Sequence, residues 1–189
     1  MKKEVLVIGL SVLLGGCLKA ETPLVDTVAK VNGQIITAAE LDRQTSNAIT
    51  ALHTLFPGSE IQAHIHQLKL KVLDVLIERD LMIQSYQKTV GQVPETVIDQ
   101  RLDVIIKEDY GGDRATFEQA LLARGTSLQS YWNEIALNYM VSTIRAKNIR
   151  DKVPATLHDE GEREAEAKRL RDAWETSLRK GADIQVYLQ

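Results

Sequence analysis

The sequence predicts a mainly helical domain closed by a small antiparallel sheet, and three observations predict it. Apolar residues recur every three or four positions through several long stretches, each bounded by residues that cap or stop helices. Near the start, Val31 and Ile35 flank Asn32-Gly33, the strongest short signal for a β-hairpin. At the far end Gly181 stops a helix pattern and a strict alternation follows. Ile184, Val186 and Leu188 fall on one face, Asp183, Gln185, Tyr187 and Gln189 on the other, which is the period of a half-buried strand. A lone strand leaves its backbone donors and acceptors unpaired, so it needs a partner. The segment 28–36 is the predicted one, nearly the whole chain away.

After the hairpin, Thr37-Ala38-Ala39-Glu40 matches a capping box, with Thr37 on the N3 amide and Glu40 reaching back. The helix it opens carries Leu41, Ile49 and Leu52 and breaks at Phe56-Pro57-Gly58-Ser59. A longer helix over about 60–89 places Ile65, Leu68, Val72, Leu73, Leu76, Ile77, Leu81 and Ile83 at helical spacing. Pro94 suits the first position of the next helix, 95–110, with Val97, Ile98, Leu102, Ile105 and Ile106 on one side. Asp113 caps a short helix to Ala123, Gly125 ends it, and Ser127 caps another over about 128–150 bearing Tyr131, Ile135, Tyr139 and Ile144. Residues 152–156 form a seam. The last helix, about 159–180, is heavily charged and keeps one narrow stripe, Leu170, Trp174 and Leu178.

Composition excludes several classes. The 189 residues are 44% hydrophobic and 26% charged, an ordinary globular balance, and a net charge of −3 offers no basic field to nucleic acid. There is no Gly-rich phosphate loop, no Cys/His cluster and no Gly-x-Ser-x-Gly elbow. His64 and His66 lie two apart in a helical pattern, so they point to different faces and do not share a ligand. His53 and His158 have no companions at ligand spacing, and neither metal nor cofactor is expected. The acidic residues of 159–166 read as a solvated helix face.

The N-terminus speaks of location. Lys2 and Lys3 precede an apolar run from Val5 to Leu14, too short to span a bilayer. Leu14-Gly15-Gly16-Cys17 then resembles the bacterial lipoprotein lipobox, and Cys17 is the chain's one cysteine. The resemblance implies removal of residues 1–16 as a signal peptide and lipidation at Cys17, with 17–27 as a tether. Leu18 follows the cysteine where aspartate often retains lipoproteins at the inner membrane, so the expected place is the periplasmic face of the cell envelope, on the outer membrane.

The succession of motifs carries a second resemblance. Val31-Asn32-Gly33-Gln34-Ile35-Ile36-Thr37 leads to Glu40-Leu41-Asp42, then to Leu73-Asp74-Val75-Leu76-Ile77-Glu78-Arg79-Asp80-Leu81-Met82-Ile83-Gln84 and Val93-Pro94-Glu95. Phe117-Glu118-Gln119-Ala120-Leu121 and Gly125-Thr126-Ser127-Leu128 follow. Over about 28–150 this is similar to the N-terminal chaperone domain of the SurA/PrsA/PpiD-type periplasmic folding factors. The last helix and strand resemble the segment that returns to complete that domain. The resemblance implies one domain over 28–189, its main part 28–151 and its returning part 158–189. In that family the returning part follows one or more parvulin-type prolyl isomerase domains of about a hundred residues. The seam here has no room for one, and the isomerase's own sequence cues are missing.

The resemblance implies a non-enzymatic, lipid-anchored holdase that binds unfolded envelope or secreted polypeptides without ATP. A dedicated accessory lipoprotein of a secretion or exopolysaccharide export system is the rival reading, and prolyl isomerase activity is disfavoured. The candidate peptide-binding residues are Trp132, Tyr110, Phe56, Tyr131 and Met140. Tyr131 and Trp132 point about 100° apart on a helix and cannot both be fully core, which leaves Trp132 to face a client groove. Phe117, Tyr139 and Trp174 read as core. Exchange of the terminal helix and strand between two chains would give a homodimer.

Overall fold

The computed structural model describes residues 26–56, 58 and 60–188. The expectations for the signal peptide, Cys17 and most of the tether lie outside these residues. The chain begins with β1 (Thr27–Val31), turns through Asn32 and Gly33, and pairs antiparallel with β2 (Gln34–Thr37). Both turn residues adopt positive φ, 51° and 84°, the conformation that makes Asn-Gly the favoured sequence here. Thr37 then caps α1 (Ala38–Leu55), its hydroxyl accepting from the Glu40 amide at 3.2 Å. Glu40 does not reach back to complete the box. Its carboxylate pairs instead with Arg79, which is on the following helix.

That helix, α2 (Ile61–Thr89), is the spine: it packs against α1, β1 and the two later helices α5 (Leu128–Asn148) and α6 (Glu160–Lys180). Between them lie α3 (Glu95–Asp109), whose N-cap is Pro94 rather than its first residue, and α4 (Arg114–Ala123). Asp113 caps α4 by accepting from the Ala115 and Thr116 amides at 2.9 and 3.2 Å, and from the Thr116 hydroxyl. Those hydrogen bonds, the Thr116 hydroxyl's foremost, hold its carboxyl below the usual range. Ser127 and Asp159 cap α5 and α6 in the same way.

The C-terminal strand β3 (Ile184–Val186) lies antiparallel on the free side of β1, giving the order β2-β1-β3. Val31 faces Ile184, Lys30 faces Gln185 and Ala29 faces Val186. The predicted partnership of the two chain ends therefore holds. One detail differs. Ile184 and Leu188 pack on the core, whereas Val186 is 51% exposed. Among the described residues strand β3 is an edge of the sheet, so alternation alone overstates the burial of that position. The last helix α6 likewise has no fully buried residue. It is held by Trp174 and Leu178, and by Arg179, which donates to Asp74 at 2.6 Å and Glu78 at 3.0 Å on α2.

Burial falls into three connected clusters. Val28, Ala29, Val31, Ile36, Leu41, Leu73, Leu76, Ile77 and Leu81 close the sheet against α1 and α2. Ile98, Leu102, Ile106, Phe117, Leu121, Ile135 and Ala136 knit α3, α4 and α5. Met82, Tyr86 and Ile144 form the seam between the two, where Tyr139 packs on both sides and Leu178 joins the seam to the sheet. No helix among the described residues is long and apolar enough to cross a membrane.

Asp80 is the charged residue buried in α2, 7% exposed, with Arg79 3.8 Å away. Burial pushes its carboxyl up to about 6; the Arg79 guanidinium opposes that rise and Glu40 adds to it. Because the folded state holds this proton more tightly than the unfolded chain, the contribution to stability is present below about pH 4. It is lost as pH rises through 6.

Two predictions follow from the sheet and from α2. Ile184→Asp sets a charge on a half-buried site packed against the sheet core and is expected to cost on the order of 2 kcal/mol, read by thermal unfolding. Val186→Asp is expected to cost about 0.5 kcal/mol or less at its exposed edge site; equal losses for the two would refute this placement. Asp80→Asn is expected to raise stability at pH 7.5 by on the order of 1–2 kcal/mol and to leave it unchanged at pH 4. A gain that is the same at both values would refute the shifted carboxyl.

Candidate functional site

A helix that packs through one stripe has spare surface beside it, and α3 carries more apolar surface than its core contact uses. Ile98, Leu102 and Ile106 point inward and are buried, leaving Val97 and Val104, seven residues apart, on the neighbouring face. Helix α5 offers Tyr131, Ile135 and Tyr139 at the matching spacing. Between the two helices these residues line an open groove of about 730 Å³, joined by Ile105. Val104 is half exposed, at 50%. Gln100, Arg101, Glu134, Asn138 and Ser142 form the rim.

The groove is apolar along its floor and mixed in charge along its edge, with one Arg and one Glu. The Arg101 guanidinium stands 4.8 Å over the Tyr139 ring, a cation–π contact that holds the rim against the floor. Tyr139 in turn meets Tyr86 edge-on, with centroids 6.3 Å apart. The Tyr131 ring packs edge-on against buried Phe117 at 5.4 Å, and burial lifts its phenol above the usual range, with Tyr110 adding to it. Such a floor is fixed from behind. Ile105, Tyr131, Ile135 and Tyr139 are shared with the core and cannot collapse into the groove without opening that core.

On the other flank of α3 a second hollow of about 600 Å³ is lined by Glu95, Asp99, Leu102, Asp103, Arg114, Leu128, Gln129 and Trp132. Here the Trp132 indole donates to Asp99 at 2.9 Å. Three carboxylates against one arginine make this hollow acidic, unlike the groove.

The structure separates the five candidate residues. Tyr131 lines the apolar groove and Trp132 lines the acidic hollow, so adjacent positions on α5 serve opposite flanks of α3. Tyr110 packs edge-on against Phe117 at 5.3 Å and borders the α3–α5 core. Met140 packs on the Met82–Tyr86–Ile144 seam. Phe56 lies at the far end of α1, stacked on His64 with centroids 4.1 Å apart. Val97, Val104 and Tyr139 were not among the candidates. The signal that could have found them is the i, i+7 pair Val97/Val104 lying beside, rather than within, the buried stripe. Phe117 is buried as expected, while Tyr139 and Trp174 are only half-buried. Among the described residues no three His, Cys, Asp or Glu side chains gather in a way that could hold a metal ion.

Comparison with known proteins places this architecture. The model of the SurA-like N-terminal domain matches residues 3–145. The chain belongs to that family. It is also 27% identical over 151 residues to the Chaperone SurA of Hahella chejuensis (strain KCTC 2396), across 79% of this chain and 34% of that protein. The chain thus spans about a third of the length of the relative it matches. The SurA-like match stops inside α5, so α6 and β3 lie beyond it, yet they complete the sheet that the matched segment begins. Only residues 149–159 separate α5 from α6, and no parvulin domain is evident among the described residues.

Proposed function

We propose that this protein is a lipid-anchored, ATP-independent holdase of the bacterial envelope, and that the α3–α5 groove receives extended, apolar-rich segments of unfolded polypeptides. The observation that carries the reading is the groove: an open trough of about 730 Å³ whose apolar floor is braced by a core and whose rim offers amides and one charge of each sign. A floor of Val97, Val104, Ile105, Tyr131 and Tyr139 accepts many apolar side chains without selecting one. Rim groups such as Gln100 and Asn138 can exchange hydrogen bonds with an extended backbone of any sequence. Weak contacts of this kind give broad specificity and fast release, which a holdase without a nucleotide cycle requires. The anchor at Cys17 would keep the groove near the membrane that clients must reach. Membership of the SurA-like family and similarity to a protein named as a chaperone support the same reading.

The test is suppression of aggregation of a denatured outer-membrane protein by the soluble form lacking the signal and Cys17. The wild-type groove is expected to suppress aggregation at a few-fold molar excess. Val97→Asp combined with Val104→Asp is expected to lower that suppression roughly ten-fold by setting two charges on the floor, with thermal unfolding little changed because both sites are partly exposed. Leu122→Asp, on a surface residue of α4 that is 77% exposed and outside the groove, should behave as wild type. Full activity in the doubly charged variant would sink the groove assignment, and no suppression by the wild type would sink the holdase reading.

A further inference from the structure

The α1–α2 hairpin reaches well beyond the part of it that the core uses. On α1 the fully buried residues are Leu41 and Thr45, both in its first half. On α2 burial is continuous only from Leu73, with Ile61 alone buried before it. Between these limits Ile49, Leu52, Ile65 and Leu68 are half-buried, and none of them joins the three core clusters. The hairpin is therefore an arm, and at its end Leu55 is 69% exposed and Phe56 38% exposed.

The arm differs from the rest of the chain in charge. Across residues 44–68 the one Asp, Glu, Lys or Arg is Glu60, in a protein that is 26% charged. Three of the four histidines lie there, His53, His64 and His66, among Ser, Thr, Gln and Asn. Elsewhere the surface carries the mixed charge that keeps a protein in water; α6 shows it at its densest. An arm that loses its charges and ends in two exposed apolar side chains suits a boundary between water and hydrocarbon.

We propose that the end of this arm, at Leu55 and Phe56, is a second contact with the lipid bilayer. The inference rests on the reading of Cys17 as the lipid anchor. Chain geometry links the two. Thr27 pairs with Thr37, so the tether joins the domain beside the base of α1. The tether of residues 18–26 reaches at most about 30 Å when extended. Helix α1, of 18 residues, is about 27 Å long. An extended tether is therefore long enough to span the arm, so an arm pointing back towards the membrane can place Leu55 and Phe56 at the surface that holds Cys17. Two apolar side chains bind a bilayer weakly by themselves. Beside a tether they act at high effective concentration, and a weak contact then suffices to set how the domain stands on the membrane.

The test uses the full chain reconstituted in vesicles of phosphatidylethanolamine with phosphatidylglycerol as minor component. A fluorescent amino acid replaces Leu55 or, as the control, exposed Leu122. Quenching by aqueous iodide is expected to fall about three-fold or more at position 55 relative to 122, and the shielding should disappear when Phe56→Glu is added. Equal quenching at the two positions overturns the proposal. Shielding at 55 that needs an unfolded polypeptide instead of vesicles also overturns it and assigns the arm to clients. The mass of the Cys17 peptide reads acylation separately. If no acyl group is present, coupling the Cys17 thiol to a maleimide lipid in the same vesicles repeats the measurement, so failure of the anchor and failure of the arm are told apart.

Discussion

Asn32 is where the two ends of the domain are tied. Its backbone amide donates to the Asp183 carbonyl at 2.8 Å, and its side-chain oxygen accepts from the Asp183 amide at 2.8 Å. Its side-chain nitrogen donates to Gln84 of α2 at 2.6 Å, and Gln84 donates onward to the Val31 carbonyl at 3.1 Å. One residue thus turns the hairpin, starts the β1–β3 ladder and fixes both to the spine. Only a side chain with an acceptor and donors on one short stem, tolerant of positive φ, can serve all three. Each bond is worth about 1 kcal/mol net, too little by itself to close a loop of this length. The closure holds because Ile184, Leu188, Ala182 and Leu178 bring apolar surface to the same place.

What the sequence made legible follows from how local each cause is. Caps at Thr37, Asp113 and Ser127 depend on a few neighbouring residues, and all three are where spacing put them, while Asp159, read as the first residue of the last helix, is its cap. The Asn-Gly turn is equally local. The pairing of β3 with β1 is not, yet it was readable because an orphan strand has only one unmatched partner to find. Causes that involve a second helix stayed hidden. Glu40 abandons its capping role for Arg79, a residue thirty-nine positions on, which no local rule contains. Val186 has the right period and the wrong neighbour, since an edge offers cover on one side only.

The groove was hidden for the same reason. Val97 and Val104 on α3 become a floor only because α5 brings Tyr131, Ile135 and Tyr139 alongside, a matter of how two helices cross. Aromatic residues were the natural place to look, because they carry most apolar area per residue. The structure divides them by what stands behind each ring. Tyr110 and Tyr131 both lean on Phe117, but only Tyr131 keeps a face toward the groove.

To serve as proposed, the domain must show apolar surface without losing its own fold or joining its own kind, and the placement of charge answers both needs. The groove is open, but each floor ring is clamped from beneath, Tyr131 by Phe117 and Tyr139 by Tyr86, so the exposed surface is rigid and does not spread. Tyr139 belongs both to the groove and to the Met82–Tyr86–Ile144 seam that leads to Leu178 and the sheet. A peptide bound there as proposed would press on the same packing that secures α6 and the Asn32 tie. Occupancy and stability would then share these contacts, so that a bound segment would gain from a well-formed domain and the domain from the segment. The dense charge of α6 lies on the opposite account, facing water along nearly its whole length, and offsets the apolar groove in the solubility of the whole.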